Sequence, residues 1–354
     1  MSAIRQIAIN LLKILASLAI VGYLFWDAVR NEAFDRLWSQ EKLWGFLILG
    51  ALFYVASAIL CFIRWGFLVR ALGVPFTHRE AIRLSLVGYL VNLAPMGVVG
   101  GDLVKMILLA RLRRCPPAEA VASVLVDRAL GLYMLFVVAS AGILFTGFAA
   151  VENSAIQLLC RAVLGIAFVG ALAVVGILAP AQGPTWLVRV VGGLPIVGKH
   201  LLDLGRAIRR YRSAWPTLLG AAGLTVILHS MFTTGVYFFA RGLFGHVPSW
   251  GMHFVLAPVS ISAGVIPLPM GPFEFVLDRL YLFAPVVGGQ AMQPGQGLLV
   301  ALTNRVVSVM LAAAGIGYYF AAKGEVAQAL DSGQSPQEIA EPDPSRRDIS
   351  AVVS

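Results

Sequence analysis

The chain has 354 residues, of which 59% are hydrophobic and 13% are charged, and its 27 basic and 18 acidic side chains give a net charge of +9. Soluble domains carry about 25% charged residues, so this composition excludes a soluble globular protein. The basic residues flank apolar runs, which indicates anionic lipid and not nucleic acid as their partner. The three cysteines, Cys61, Cys115 and Cys160, have neither pair nor ligand spacing, so we expect no disulfide framework, no metal site and no cofactor.

Six apolar segments are long enough to cross a bilayer, which takes about 20 residues. They lie at residues 7–26, 43–69, 121–147, 156–178, 214–243 and 297–322. Arg5 before the first segment is typical of a signal peptide, but Asn10 and Lys13 interrupt the run. No small-residue cleavage site follows, so we predict that this segment is retained as a membrane span.

Two further apolar segments are interrupted near their middle and predict helical hairpins that enter the membrane and return. The first has halves at 82–93 and 102–112, with a break that contains Pro95, Gly97, Gly100 and Gly101. The second has halves at 252–266 and 273–283, with a break that contains Pro269, Gly271 and Pro272. Proline and glycine disfavour a continuous helix, and each half is too short to cross the bilayer at about 1.5 Å per residue.

Basic residues predict that the two hairpins enter from opposite sides. Residues 64–83 and 111–114, which flank the first hairpin, hold seven arginines, whereas residues 149–155 and 285–296 hold no lysine or arginine. Cytoplasmic loops are enriched in Lys and Arg, so we expect both ends of the first hairpin in the cytoplasm and both ends of the second outside. The same rule predicts cytoplasmic termini, in a bacterial inner membrane.

The two broken segments also resemble each other in sequence. Ala-Pro-Met-Gly at 94–97 matches Leu-Pro-Met-Gly at 268–271, and the next span carries Asp127-Arg128 or Asn304-Arg305, 33 or 36 residues after the proline. Inverted repeats with broken helices are typical of secondary transporters. The predicted fold class is therefore an all-α integral membrane protein with six full transmembrane helices and two oppositely oriented re-entrant half-helix hairpins, arranged as an inverted repeat.

Charged residues at or after the two breaks are the candidates for binding an anionic group. They are Asp102, Lys105, Asp127, Arg128, Glu274, Asp278 and Arg305. A charge within a span costs about 2.5–3.5 kcal/mol on insertion scales and is therefore usually paired and functional. Half-helix N-termini direct N–H groups and a positive dipole end at an anion. Arg305 has no acid nearby in its own helix, so we expect it to pair with a headgroup or with Glu274.

Structural explanations stand beside these functional ones at the first break. Asp102 follows two glycines and is expected to cap the half-helix that it begins. Lys105 is placed to pair with Asp102 on one helix face or to reach a lipid phosphate. Arg128 has Asp127 and Asp102 as alternative partners. Arg64 ends its span and is expected to snorkel to the interface.

The second break has equivalent structural explanations. Gly271, Pro272 and Glu274 fit the N-cap, first and third positions of a helix. Asp278 lies one turn after Glu274, and two carboxylates there are unfavourable unless one is protonated or paired. Arg279 and Arg305 are the expected partners, and a proton-coupling role for the two acids is the alternative.

The motifs at 95–105 (PMGVVGGDLVK) and 120–132 (AVASVLVDRALGL) resemble the signature of the lysylphosphatidylglycerol synthase transmembrane (flippase-like) family, and 269–274 (PMGPFE) resembles its second motif. The resemblance covers about residues 5–322 and implies a lipid-translocating membrane protein. Members often have Arg where this chain has Lys105, and more glycine in the second motif. The aminoacyl-transferase domain of the bifunctional relatives is not expected here, so the resemblance implies that the chain is not itself an enzyme.

We therefore predict a polytopic membrane domain at 1–323 and an acidic, disordered cytoplasmic tail at 324–354. The predicted function is translocation of an anionic phospholipid or an isoprenoid-type lipid through a polar cleft between the hairpins. The alternative is a membrane subunit or scaffold of a lipid-modifying biosynthetic enzyme, with enzymes of lipid biosynthesis as its partners.

Overall fold

A computed structural model of the chain describes residues 2–92, 97–178, 207, 210–266, 268, 270–286 and 291–321. The regular elements of these residues are helical, with no strand among them. They are α1 (Ser2–Arg30), α2 (Ala33–Ser39), α3 (Trp44–Ala71), α4 (His78–Val91), α5 (Gly97–Leu112), α6 (Pro117–Thr146), α7 (Ser154–Leu178), α8 (Trp215–Leu243), α9 (Trp250–Ser262), α10 (Pro272–Phe283) and α11 (Gln296–Ala321), with 3-10 turns at Phe148–Ala150 and Ala263–Val265. Pro95, Pro269 and the predicted tail at 324–354 lie outside the described residues.

Six helices are long and apolar enough to cross a membrane, as the sequence predicted. These spans are Leu11–Arg30, Trp44–Ala71, Pro117–Thr146, Ser154–Val175, Trp215–Leu243 and Gln296–Gly317. Their outward faces are apolar, since large side chains such as Phe145, which is 91% exposed, point away from the protein. Water would disfavour this arrangement and lipid favours it. The chain is therefore a multi-pass membrane protein.

The two interrupted segments form pairs of short helices. Helices α4 and α5 have 14 and 16 residues, and α9 and α10 have 13 and 12. At about 1.5 Å per residue, none of them spans a hydrocarbon core of about 30 Å. Each pair begins with a hydroxyl side chain that caps its first helix: Thr77 accepts a hydrogen bond from the N–H of Glu80, and Ser249 accepts one from that of Met252.

The order of a long helix, two short helices and a long helix occurs twice, in α3–α6 and in α8–α11. The two halves interlock, because α4 packs on α11, α9 packs on α6, and α3 packs along α8. Glycines allow the α3–α8 contact: a Cβ on Gly235 would lie 3.1 Å from the carbonyl oxygen of Gly50. Each short-helix pair is thus held partly by the other half of the chain.

The first break is narrower than the sequence predicted. Helix α5 begins at Gly97, so Gly100 and Gly101 lie within it and do not break it, and Asp102 lies in its second turn and is not its N-cap. Both predictions are wrong for a packing reason. A Cβ on Gly101 would lie 2.0 Å from Oδ1 of Asn92 and 2.2 Å from the carbonyl oxygen of Gly88, so glycine allows α4 and α5 to approach closely.

The second break agrees with the prediction in its described part. Gly271 precedes α10 with a φ of 111°, a backbone conformation that favours glycine. Pro272 is the first helical residue, where its missing N–H has no cost. A Cβ on Gly271 would also lie 2.9 Å from Cγ2 of Ile20, so α1 packs directly on this break.

Gly101→Ala tests the close contact between α4 and α5. We expect a loss of about 1–3 kcal/mol of stability, because the new methyl group meets a backbone oxygen that cannot move aside. The matched control is Gly223→Ala within α8, where a Cβ meets nothing within 4 Å and helix propensity favours alanine by up to about 1 kcal/mol. The measurement is thermal unfolding in detergent micelles, and equal melting temperatures for the two variants would contradict the packing.

Candidate functional site

Two acid–arginine pairs occupy corresponding positions in the two halves. Arg128 donates from Nε to Oδ2 of Asp102 at 2.7 Å and from Nη2 to Oδ1 at 2.6 Å. Arg305 donates from Nε and Nη2 to Oε1 of Glu274 at 3.1 and 2.5 Å. In each case the acid belongs to the second short helix of a pair, and the arginine belongs to the long helix that follows.

The Glu274 carboxylate is both a cap and an ion-pair partner. Its Oε2 accepts a hydrogen bond of 2.9 Å from the backbone N–H of Gly271, while Oε1 receives Arg305. The side chain is 1% exposed, so the carboxylate is satisfied entirely by these protein donors. Glu274 therefore both caps α10 and pairs with Arg305.

Arg64 is buried and does not snorkel, which corrects the sequence prediction. Its Nε donates to Oδ1 of Asp127 at 2.9 Å, its Nη2 donates to the Asp127 carbonyl oxygen at 3.2 Å, and its Nη1 donates to Oγ1 of Thr225 at 3.1 Å. Thr225 belongs to α8, so this network joins both halves. Because Asp127 is committed to Arg64, Arg128 takes Asp102 as its partner.

Lys105 does not pair with Asp102. Its ammonium lies over the rings of Trp65 and Phe62, 5.1 and 5.7 Å from their centroids. Within the described part of the chain it forms no salt bridge. The residue is buried, and contact with aromatic faces of α3 is a favourable arrangement for an ammonium in a desolvated site.

Asp278 anchors the start of α11. Its Oδ1 accepts hydrogen bonds of 3.0 Å from the N–H groups of both Gly295 and Leu298, and its Oδ2 lies 3.4 Å from Nη2 of Arg279. Arg279 also pairs with Asp27 of α1. Glu274 and Asp278 therefore have separate partners. No contact between the two carboxylates supports the alternative that they form a proton-coupling site.

Hydroxyl groups connect the halves near Arg305, a feature that the sequence reasoning missed. The Tyr89 hydroxyl contacts that of Tyr54 and lies 2.9 Å from Oγ of Ser308. Ser308 follows Arg305 by one turn of α11. Nearby in sequence, the buried Oδ1 atoms of Asn92 and Asn304 have no hydrogen-bond partner among the described residues. Tyrosine and serine in an apolar run give no distinctive signal, so these contacts become visible only in three dimensions.

The two ion pairs differ in exposure. The Arg128 side chain is 46% exposed, whereas that of Arg305 is 28% exposed. A guanidinium at membrane depth faces a cavity or the bundle interior and not hydrocarbon. No cluster of metal-ligating side chains occurs among the residues that the structure describes.

The profile of one protein family, described as Lysylphosphatidylglycerol synthase TM region, matches residues 11–315. The chain belongs to this family. The matched range contains both acid–arginine pairs and the Arg64–Asp127 pair, and the family connects the chain with lipid metabolism or translocation. A search of curated proteins finds no match.

Arg64→Leu tests whether the Arg64–Asp127 pair is structural. We expect a loss of about 3–5 kcal/mol, because Asp127 is left buried without a partner, and recovery of most of that loss in Arg64→Leu/Asp127→Leu. Arg113→Leu, which removes a more exposed partner of Glu80, should cost at most about 1 kcal/mol. Thermal unfolding in detergent compares the three proteins with wild type. Wild-type stability in the single Arg64 variant would mean that this guanidinium reaches water.

Proposed function

We propose that this chain translocates a membrane lipid with an anionic headgroup, an anionic phospholipid or an isoprenoid-type lipid, between the leaflets of the membrane. Two ion pairs carry the proposal, Asp102–Arg128 and Glu274–Arg305. Each joins a short helix to the long helix that follows it, at corresponding places in the two halves. In the proposed mechanism the headgroup passes from one pair to the other.

The depth of the two arginines supports this proposal. Arg128 follows the start of α6 by eleven residues and Arg305 follows the start of α11 by nine, which at about 1.5 Å per residue places them about 16 and 14 Å along their helices. A hydrocarbon core is about 30 Å thick. Both guanidinium groups are therefore expected near its middle, where an unpaired charge is costly.

The chemistry of the pairs suits a phosphate cargo. A guanidinium binds carboxylate and phosphate through the same two-pronged geometry. In the resting protein Asp102 and Glu274 neutralise the arginines. A headgroup phosphate can compete with the Asp102 carboxylate for Arg128, whose side chain is 46% exposed, and the released carboxylate is then hydrated. Acids and arginines thus act as exchangeable partners and not as catalysts.

The proposed topology is an inverted repeat with two re-entrant hairpins and cytoplasmic termini in an inner membrane. Six arginines lie at or near the outer ends of the α4–α5 pair, namely Arg70, Arg79, Arg83, Arg111, Arg113 and Arg114. Residues 285–296, after the α9–α10 pair, have no basic residue. Cytoplasmic loops are enriched in Lys and Arg and external loops are not. The short helices support this arrangement, because two of them together return a chain to the side from which it came. Opposed hairpins meeting near the midplane provide alternating access in secondary transporters.

Cysteine labelling tests this topology. Single cysteines replace Pro75 and Arg114 at the ends of the first hairpin, and His246 and Ala291 at the ends of the second; all four positions are exposed. In intact cells a membrane-impermeant maleimide should label the second two positions and not the first two. After permeabilisation all four should react. Labelling of the two ends of one hairpin from opposite sides would contradict re-entry.

The four single-cysteine variants are made in a protein whose three native cysteines have been replaced. Burial and, to a smaller degree, Glu119 raise the pKa of the Cys115 thiol to about 12, so this thiol reacts slowly with maleimide at neutral pH. Cys160 is also buried, and Cys61 is partly exposed. The cysteine-free protein therefore serves as the unlabelled control.

Lipid translocation in proteoliposomes tests the function directly. We expect Arg305→Ala and Glu274→Gln to slow headgroup translocation at least about tenfold, because each removes one partner of a buried charge pair. Arg305→Lys keeps the charge but loses the two-pronged geometry and should be intermediate. Arg113→Gln, at the end of α5, is the control that should keep the wild-type rate.

The same vesicles separate transport from the alternative of an enzyme subunit or scaffold. Lipid masses should stay unchanged while headgroups move between leaflets. Translocation at the wild-type rate by folded, incorporated Arg305→Ala would contradict the proposed site. Failure of the wild-type protein to move any anionic or isoprenoid lipid would contradict transport and favour the enzyme subunit or scaffold.

A further inference from the structure

We propose that α1 is a lateral gate. It closes the Glu274–Arg305 site from the side in this structure, and it separates from α10 when a lipid headgroup enters or leaves that site. This inference rests on the proposed function and names the route by which the lipid passes. The observation that carries it is the position of α1, which packs on the second break along one narrow face while most of its surface is exposed.

The shape of a lipid requires a lateral opening. A lipid that changes leaflet keeps its acyl chains in hydrocarbon, because exposing apolar chains to water is costly. Its headgroup therefore reaches a site within the protein from the side. The Glu274 carboxylate is 1% exposed, so this site is closed in the structure. A neighbouring helix has to move before a headgroup can bind there.

Helix α1 lies directly on the closed site. A Cβ on Gly271 would lie 2.9 Å from Cγ2 of Ile20 and 3.1 Å from its Cβ. Gly271 is also the residue whose backbone N–H donates to the Glu274 carboxylate. The side chain of Ile20 therefore covers the cap that Glu274 forms on α10.

This contact lies at about the depth of the ion pair. The end of α1 and the start of α11 are level with each other, because a Cβ on Gly295 would lie 2.8 Å from Cβ of Ala28. Ile20 lies eight residues before Ala28, and Arg305 lies nine residues after the start of α11 at Gln296. These separations correspond to about 12 and 14 Å along the two helices, so α1 passes beside Arg305.

A single face attaches α1 to the rest of the protein. Among residues 11–30, only Ser17, Leu24 and Ala28 are buried, whereas large side chains on the other faces are exposed, such as Leu18 at 63%. Lipid is as apolar as these side chains, so packing and polar contacts, and not the hydrophobic effect, hold a helix of this kind in place. Few such contacts have to break when α1 moves away.

The main polar contact between α1 and α10 is an ion pair that can break and form again. Arg279 donates to Asp27, and its Cζ lies 5.8 Å from the ring centroid of Tyr23 and 5.7 Å from that of Phe275. The side chains of Arg279 and Asp27 are 29% and 15% exposed. A partly exposed ion pair contributes much less stability than a buried one, so it can hold the gate closed and still release it.

Ser17 supplies an independent observation. Its side chain is 6% exposed and lies on the same face of α1 as Leu24, yet its Oγ has no hydrogen-bond partner among the described residues. A buried hydroxyl without a partner is costly. Water or a polar headgroup can satisfy this hydroxyl once α1 moves away, so Ser17 lowers the cost of opening.

A reversible cross-link tests the gate. Tyr23→Cys/Phe275→Cys in the cysteine-free protein is joined in detergent by a bifunctional methanethiosulfonate and then reconstituted; both positions are exposed, and the Asp27–Arg279 pair stays in place. We expect the cross-linked protein to translocate phosphatidylglycerol at least about tenfold more slowly than the same protein after reduction, because a closed gate blocks every turnover. Tyr23→Cys/Phe275→Ala, treated with the same reagent, is the control that should keep its rate.

Thiol labelling measures opening without transport. Ser17→Cys in the cysteine-free protein places a thiol on the buried face of α1, so a maleimide in detergent reacts with it only when α1 separates from its neighbours. Asp27→Asn weakens the contact with Arg279 and should raise the labelling rate about two- to fivefold. Asp35→Asn, at an exposed position on α2, is the matched control that should leave the rate unchanged.

The two experiments separate failure of the gate from failure of the proposed function. Equal translocation by the cross-linked and the reduced protein, or equal labelling of Ser17→Cys in Asp27→Asn and Asp35→Asn, would overturn the gate and leave the proposed transport intact. A wild-type protein that translocates no anionic or isoprenoid lipid would contradict the transport, whereas the labelling rates would still decide whether α1 opens.

Discussion

The structure depends on one constraint: a charge within an apolar bundle must find its partner inside the protein. Leaving one member of a buried pair alone costs about 3–5 kcal/mol, so the pairs dictate which helices lie together. The Arg64–Asp127 pair holds α3 to α6. The Asp102–Arg128 pair holds α5 to α6. The Glu274–Arg305 pair does the same for α10 and α11. The short helices are thereby fixed against long ones even where their own backbone is interrupted.

The sequence predicted what depends on local composition. Apolar runs of sufficient length identify spans wherever they occur, and the lack of an acid in its own helix led to Glu274 as one of the two partners expected for Arg305. The partner of Arg64 was not predictable in this way, because Asp127 is 63 residues away and competes with Asp102 for two arginines. Gly101 shows the same limit. A glycine that interrupts a helix and a glycine that allows a second helix to pack closely cannot be told apart from the sequence alone.

The two halves share an order of helices but not an environment. Helix α1 covers the second hairpin, through Ile20 against Gly271 and through the Asp27–Arg279 pair. Beside α5 the Arg128 side chain remains half exposed. The same order of helices thus carries one exposed arginine and one largely covered arginine. This asymmetry gives the proposed transport pathway two chemically different ends.

That asymmetry also bears on which step limits the proposed transport. In the proposed transport a headgroup would reach Arg128 by replacing a partly exposed carboxylate, an exchange that water can assist. At Arg305 the competing carboxylate is 1% exposed and its second oxygen is bound to the N–H of Gly271, so exchange there disturbs the helix cap as well as the ion pair. Breaking such a buried, doubly held contact is slower than exchange at an open one, because no solvent replaces the lost bonds. Opening of the second hairpin is therefore the expected barrier.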